Sequence, residues 1–211
     1  MIKLYGSPAS RGLRNMWALE ELGLPYEIVR VIPKNGDNKT PEYLAINPAG
    51  KVPALVDGDV VMSESLAINL YIGQTYGQGK LWPAGDDAHA KIIQWTVWAG
   101  NELEPITYGM LFDQVFTPPA DRKPETMLAL GERLKPRMEV LTTYLGRHKN
   151  LVGDAFTLAD LQVACVLDYA GRANFSLAPW PKVSAWHEAC HARPAYKKIM
   201  DLRAAFVQAN P

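Results

Sequence analysis

Residues 47–65, NPAGKVPALVDGDVVMSES, decide how the first part of the chain folds. Residues 54–56 (ALV) and 60–62 (VVM) are β-rich, and Asp57-Gly58-Asp59 separates them. An Asp-Gly pair between two such runs is typical of a tight turn between antiparallel strands. The stretch therefore predicts a β-hairpin, followed by a helix that begins at Ser63 or Glu64.

The residues before the hairpin alternate between strand-like and helix-like segments. Strands are predicted over residues 2–5 and 27–31, a helix over 11–22, a polar loop over 33–40 and a short helix over 41–46. An α/β pattern that ends in an antiparallel hairpin is typical of a four-stranded mixed sheet. Residues 1–76 are therefore predicted to form one α/β domain.

The pattern changes after residue 76. Residues 77–86 are rich in glycine and proline and are predicted to form a linker. Beyond the linker β-rich runs nearly vanish, and helices are predicted over 87–116 with a bend near Gly100 and Pro105, then over 124–145, 157–173, 182–191 and 194–206. Residues 87–211 are thus predicted to form an all-α domain.

Composition excludes several classes of protein. Of the 211 residues 48% are hydrophobic, and the 22 basic residues balance the 22 acidic ones, so no basic patch indicates nucleic acid or an anionic membrane as a partner. Cys165 and Cys190 form no CxxC pair, so no metal motif is predicted. No apolar run approaches the ~20 residues of a membrane helix, and the chain shows no signal peptide. We expect a soluble cytoplasmic protein.

Val52 and Pro53, just before the first hairpin strand, admit two interpretations. Proline is tolerated at the first residue of a strand, so Pro53 alone indicates an ordinary strand entry. A cis Val52–Pro53 bond would instead turn the backbone N–H and C=O of Val52 outward to pair with an extended peptide. Because about 5–6% of X–Pro bonds in folded proteins are cis, the residues themselves leave both interpretations open.

Ser63, Glu64 and Ser65 also admit two interpretations. Ser63 is a good N-cap and an acidic residue suits the positive end of the helix dipole. The same helix start could bind a ligand, because its N–H groups and the Ser65 hydroxyl attract a carboxylate while Glu64 balances an ammonium. Carboxylate and ammonium on one carbon describe the free end of a γ-glutamyl group.

Residues 47–55 (NPAGKVPAL) followed by 63–68 (SESLAI) resemble the signature of the cytosolic glutathione transferase superfamily, of a serine-type bacterial, phi-, theta- or tau-like class. The second domain is similar more loosely, through residues 157–160 (TLAD) and 180–186 (WPKVSAW). The resemblance implies a thioredoxin-like first domain, a cis bond at Pro53, an all-helical second domain and a homodimer. Asp160 fits the acidic position of a capping box, so we assign it to folding rather than to catalysis.

The resemblance also implies a set of glutathione contacts. The Val52 backbone beside Pro53 would pair with the cysteinyl part of glutathione, the co-substrate. Glu64 and Ser65 would hold its γ-glutamyl end. Lys51 and Lys39 are placed to meet the glycine carboxylate, although Lys39 fits a solvated loop lysine equally well.

The glutathione thiol needs an activating group, because a free thiol has a pKa of about 8.5. A hydroxyl donor at the start of the first helix would lower that pKa. Ser10 is the first candidate, followed by Ser7 and Tyr5. Counted back from Arg14, the serine of several classes falls on Ala9, so Ser10 stands one residue late, and its ordinary alternative role is an N-cap.

The acceptor substrate is expected between the two domains. Candidate contacts on the long helix are Trp95, Trp98, Tyr108, Met110, Leu111 and Phe112, although apolar residues at helical spacing more often belong to a core. The leading hypothesis is conjugation of the glutathione thiolate to a small hydrophobic electrophile, or peroxide reduction by the same thiolate, without a metal. The alternatives are a glutathione- or ligand-binding scaffold without turnover, and a glutathione-dependent isomerase or dehalogenase.

Overall fold

The structure, a computed structural model, describes residues 1–210 and consists of two compact units. The first unit contains Met1–Trp82 and the segment that begins at Ala192, and the second contains Pro83–His191. Within the described part of the chain, no helix combines the length and the apolar character needed to cross a membrane.

A four-stranded mixed sheet organises the first unit, in the order β2-β1-β3-β4. Strand β1 (Ile2–Gly6) pairs in parallel with β2 (Tyr26–Arg30) and antiparallel with β3 (Ala54–Asp57), which pairs antiparallel with β4 (Val60–Ser63). The predicted sheet is therefore confirmed.

The predicted hairpin is confirmed as well. Asp57 pairs with Val60, which leaves Gly58 and Asp59 as a two-residue turn. Gly58 has a φ of 59°, a left-handed conformation that glycine adopts without a steric penalty.

The helices of the described residues run in chain order as follows: α1 (Leu13–Leu22), α2 (Pro41–Ile46), α3 (Ser65–Tyr76), α4 (Asp86–Trp98), α5 (Glu104–Leu111), α6 (Pro124–Leu145), α7 (Leu158–Arg172), α8 (Pro181–His191) and α9 (Pro194–Ala209). The predicted long helix over residues 87–116 corresponds to α4 and α5, with a π-helical stretch at Ala99–Leu103 between them. Gly100 lies within this stretch and Pro105 lies just beyond it, so the irregularity falls where the bend was predicted.

Helix α9 belongs to the first unit, not to the helical one. It packs against α1, where the rings of Trp17 and Tyr196 lie 4.7 Å apart in an edge-on arrangement. Just before α9, Arg193 donates two hydrogen bonds of 2.7 Å to the Glu21 carboxylate. The second unit therefore ends near residue 191, earlier than the domain of residues 87–211 that the sequence predicts, because α9 packs against α1 of the first unit, where Trp17 is fully buried.

The start of α7 is held by a capping box, as the sequence predicts. Asp160 is fully buried and accepts hydrogen bonds from the backbone N–H groups of Leu151 and Thr157, both at 2.9 Å. The Thr157 hydroxyl and the Trp186 indole N–H donate to the same carboxylate, each at 3.0 Å. Asp160 thus ties α7, α8 and the preceding loop together, which is a structural role.

Candidate functional site

The entry to β3 has the backbone geometry that a peptide ligand requires. The Val52–Pro53 peptide bond is cis, the alternative that the resemblance implied. The carbonyl of Lys51 is occupied, because it accepts hydrogen bonds from the Tyr43 hydroxyl at 2.5 Å and from the Asn47 amide at 2.6 Å. The hydrogen bonds among the described residues do not involve the backbone of half-buried Val52. The fold thus fixes the Lys51 carbonyl, whereas the backbone N–H and C=O of Val52 make no hydrogen bond to the described residues.

Glu64 occupies an unusual position at the start of α3. The sequence favoured Ser63 as the N-cap, and this is wrong: Ser63 is the last residue of β4, and the N-cap is Glu64. Glu64 has a φ of 68°, a conformation that costs a non-glycine residue about 1–3 kcal/mol. Such strain is concentrated at functional sites, and here it belongs to an exposed carboxylate directly before the buried Ser65.

Two buried asparagines, which the sequence did not single out, hold α1 and α3 side by side. The Asn15 amide donates to the Ser65 carbonyl at 2.8 Å and to the Asn69 side-chain oxygen at 2.7 Å. Asn69 in turn donates to the Arg14 carbonyl at 3.1 Å. Because Arg14, Asn15 and Ser65 all lie in the first turns of their helices, these bonds bring the two helix N-termini together. Both positive dipole ends thus face one region.

The loop before α1 brings Ser10 close to Val52 and Pro53. A Cβ atom at Gly6 would lie 3.2 Å from the Ser10 Oγ, 3.7 Å from the Val52 Cβ and 3.9 Å from the Pro53 Cα. A Cβ atom at Gly12 would lie 3.2 Å from the same Oγ and 3.5 Å from the Pro53 Cβ. Ser10 and the cis peptide therefore pack against the same two glycines, and a Cβ at either position would crowd the Ser10 Oγ.

The hydroxyl of Ser10 is engaged within its own loop. It donates to the Ser7 carbonyl at 2.7 Å and accepts from the N–H groups of Gly12 at 3.1 Å and Ser7 at 3.3 Å. The ordinary alternative, an N-cap role for Ser10, is wrong, because α1 begins at Leu13 and its N-cap is Gly12, without a side-chain cap hydrogen bond. Ser7 is buried, and the Tyr5 ring packs against a cluster that includes Tyr43, with ring centroids 6.2 Å apart.

Lys39 and Lys51 lie on either side of Gly50. The Lys39 Nζ would be 3.0 Å from a Cβ atom at Gly50, so the ammonium group lies directly over the backbone next to Lys51. The Asn38 amide fixes this backbone by donating to the Gly50 carbonyl at 2.6 Å. Both lysines are exposed, and together they form a positive edge beside Val52.

Both parts of the chain match known protein domains. Residues 1–74 match the family model described as glutathione S-transferase, N-terminal domain, and residues 107–194 match the corresponding C-terminal domain. The chain is 38% identical to Glutathione S-transferase 3 of Zea mays over 207 residues, which cover 94% of this chain and 93% of the relative. This chain belongs to the glutathione S-transferase family.

Solved structures of glutathione S-transferases share the fold. A glutathione transferase from Populus trichocarpa has a TM-score of 0.88 and 29% identity, with 96% of this chain and 99% of that chain covered. One from Phanerochaete chrysosporium, determined in complex with oxidized glutathione, has a TM-score of 0.85 and 26% identity, with 97% and 96% covered. The predicted thioredoxin-like domain with an all-helical partner is therefore confirmed.

Four of the six acceptor candidates of this glutathione S-transferase, those over residues 108–112, differ in burial. Met110 and Leu111 are buried in the core of the helical unit. Tyr108 is half-buried and its ring meets that of Tyr169, whereas Phe112 is 53% exposed. Only Tyr108 and Phe112 of the four thus keep surface that a substrate could contact.

Proposed function

We propose that this chain binds glutathione in its first unit and transfers the glutathione sulfur to a small hydrophobic electrophile. The observation that carries the proposal is the convergence in one unit of three elements. These are the Val52 backbone beside a cis proline, the strained Glu64 at a helix start, and a serine loop against the same proline. A tripeptide with a charged group at each end suits this arrangement.

Each part of glutathione has a chemically matched partner. The Val52 N–H and C=O would pair with the cysteinyl residue in the manner of an added strand. The Glu64 carboxylate would balance the γ-glutamyl ammonium, and the Ser65 hydroxyl with the α3 N-terminus would take the adjacent carboxylate. Lys39 and Lys51 would attract the glycine carboxylate at the other end.

Ser10 is the proposed thiol activator, with Ser7 and Tyr5 as the alternatives. In the free protein the Ser10 O–H donates to the Ser7 carbonyl, so activation requires this O–H to turn toward the bound sulfur. The N–H groups of Gly12 and Ser7 would keep the Oγ in place during that rotation. A hydrogen bond to the thiolate, together with the α1 N-terminus, lowers the thiol pKa and raises the fraction of nucleophile. The thiolate then forms the carbon–sulfur bond as the leaving group departs from the electrophile.

Separate Ser10→Ala and Ser7→Ala variants test the activator. Conjugation of an aryl halide, followed as a function of pH, should show for Ser10→Ala a lower kcat/KM and an apparent thiol pKa that moves up toward about 8.5. Ultraviolet absorbance of the bound thiolate gives the same pKa without turnover. If both variants keep the wild-type rate and the wild-type thiolate titration, neither serine activates the thiol.

Glu64→Gln tests the binding site separately from the chemistry. Loss of the charge should raise the KM for glutathione more than it lowers kcat, because the contact is made in the ground state as well as in the transition state. Glu42→Gln is the matched control, since Glu42 is also an exposed acid in the first turn of a helix of the same unit. Equal glutathione KM values for the two variants would show that Glu64 does not contact glutathione.

A second candidate function is glutathione binding without turnover. The observation in its favour is that the Ser10 hydroxyl already has an acceptor within its loop. Retention on immobilised glutathione, with no turnover of aryl halides or of organic hydroperoxides, would support this candidate. Turnover of hydroperoxides alone would show that the thiolate acts as a reductant.

We also propose that the chain forms a homodimer. Strand β4 lies at an edge of the sheet and exposes Val60 and Val61, and α4 exposes Ile93 and Val97. Apolar side chains at such positions favour association. Light scattering after size-exclusion chromatography should give twice the 23.4 kDa chain mass. Val61→Lys should lower the measured mass toward that of one chain.

A further inference from the structure

Three side chains that can bind a metal meet where α7 and α8 pack together. Asp168 lies on α7, and His187 and His191 lie one turn apart on α8. The Nε2 atoms of His187 and His191 are 2.9 Å and 2.6 Å from the same Asp168 oxygen, Oδ1. The three donor atoms all lie within 4.8 Å of one another, and the two imidazole rings are 4.0 Å apart.

The hydrogen bonds of this cluster aim both imidazole rings at the carboxylate. Both Nε2 atoms lie at hydrogen-bond distance from Asp168 Oδ1, and the His187 Nε2 also lies 3.3 Å from the Ala164 carbonyl oxygen. Because a carboxylate oxygen and a carbonyl oxygen accept hydrogen bonds, the Nε2 of each ring is the donor. Two exchangeable protons thus occupy the positions where a metal ion would bond.

We propose that Asp168, His187 and His191 form a binding site for a divalent transition-metal ion of the Zn²⁺ type. Two imidazole nitrogens and one carboxylate oxygen are a ligand set that zinc uses when water completes its coordination. Two histidines four residues apart on one helix face are the spacing that presents both rings to one ion. All three residues belong to the second unit, whereas the residues of the proposed glutathione site belong to the first.

The ligand atoms are nearly far enough apart for zinc. At zinc–ligand distances of about 2.1 Å, tetrahedral ligands lie about 3.4 Å from one another, so each histidine must move back by less than about 1 Å. His191 is able to move, because its side chain is 31% exposed and it is the last residue of α8. On binding, the metal replaces the proton at each Nε2, and that proton goes to solvent or to Nδ1 of the same ring. The ion would then fasten α7 to α8.

The test is a metal titration of the full chain without an affinity tag, after treatment with a chelator. Calorimetry with Zn²⁺ should show one saturable equivalent, and Co²⁺ should give visible absorption bands of a low-coordinate site. His191→Ala and Asp168→Asn should lose this binding, since losing even an outer-shell partner of a metal costs about 10- to 100-fold in affinity. The wild-type affinity should also fall as the pH is lowered, because protons compete for the imidazole nitrogens.

The chain supplies matched controls. Its other two histidines, His89 and His148, lie outside the cluster, so His89→Ala and His148→Ala should bind zinc as the wild type does. Circular dichroism of each variant shows whether the fold is kept, and zinc should raise the Tm of the wild type but not of His191→Ala. The proposal is overturned if no saturable binding occurs, or if His191→Ala and Asp168→Asn bind zinc as the wild type does. Loss of that binding in Cys190→Ser would then place the ion at the Cys190 thiol instead. None of these readouts depends on glutathione or on catalysis.

Discussion

Replacement of Asp160 by alanine removes the acceptor that holds the start of α7. Four donors lose their partner, namely the N–H groups of Leu151 and Thr157, the Thr157 hydroxyl and the Trp186 indole. The hydroxyl can rotate to another acceptor, so three donors remain unsatisfied in a region from which water is excluded. Each buried unsatisfied donor costs about 1–3 kcal/mol, so we expect a loss of at least about 3 kcal/mol.

The loss is large compared with the whole stability of a domain, which is typically about 5–15 kcal/mol. Asp160→Ala should therefore lower the denaturant midpoint strongly or yield a chain that does not fold. The measurement is urea unfolding followed by circular dichroism and by tryptophan fluorescence, at several protein concentrations so that association is taken into account.

Asp154→Ala is the matched control, because Asp154 is an exposed acid in the loop that precedes the same helix. Its side chain makes no hydrogen bond to the described residues, so the free energy of unfolding should stay within about 0.5 kcal/mol of the wild-type value. If the free energy of unfolding of Asp160→Ala is also within about 1 kcal/mol of the wild-type value, the cost assigned to unsatisfied donors is wrong at this site.

Three further changes have expected outcomes. Arg193→Ala should cost about 1–3 kcal/mol in urea unfolding, because the nearly buried Glu21 carboxylate loses the two hydrogen bonds from Arg193 and keeps only the one from the Trp17 indole. With a chelator present, the wild type should be about 2 kcal/mol more stable than Asp168→Asn at neutral pH, because the pKa of Asp168 is lowered to about 2. This advantage should persist down to about pH 4 and then disappear toward pH 2, and an advantage that did not vary in this range would contradict the assignment. Gly50→Ala should lose about 1–2 kcal/mol and raise the KM for glutathione, because Gly50 has a φ of 59° and the added Cβ would lie 3.0 Å from the Asn38 carbonyl.

Features set by neighbouring residues could be predicted from the sequence. The turn at Gly58 and the capping box at Asp160 depend on residues within a few positions, so their patterns were sufficient. The N-cap of α3 could not be predicted, because local preference favours Ser63 whereas β4 continues through that residue. Tertiary pairing of the strand thus outweighs the local preference and forces Glu64 into its left-handed conformation.

Features that depend on contacts between distant residues could not be predicted from the sequence. The sequence placed Ser10 beside the first helix, but the direction of its hydroxyl depends on the carbonyl of Ser7, which only the folded loop positions. The spacing of His187 and His191 is visible in the sequence, whereas Asp168 joins them only through the packing of α7 on α8. The docking of α9 likewise depends on a contact between Trp17 and a residue near the opposite end of the chain.

The return of α9 to α1 also sets an order for the making of the protein. Because the first unit includes residues after Ala192, it cannot be complete when Trp82 leaves the ribosome. The helical unit, which is continuous in sequence, is synthesised in full before the last segment of the first unit. Its folding is therefore expected to precede the closure of α9 over Trp17, and a nascent chain that stops before Pro194 would leave the proposed glutathione-binding unit open.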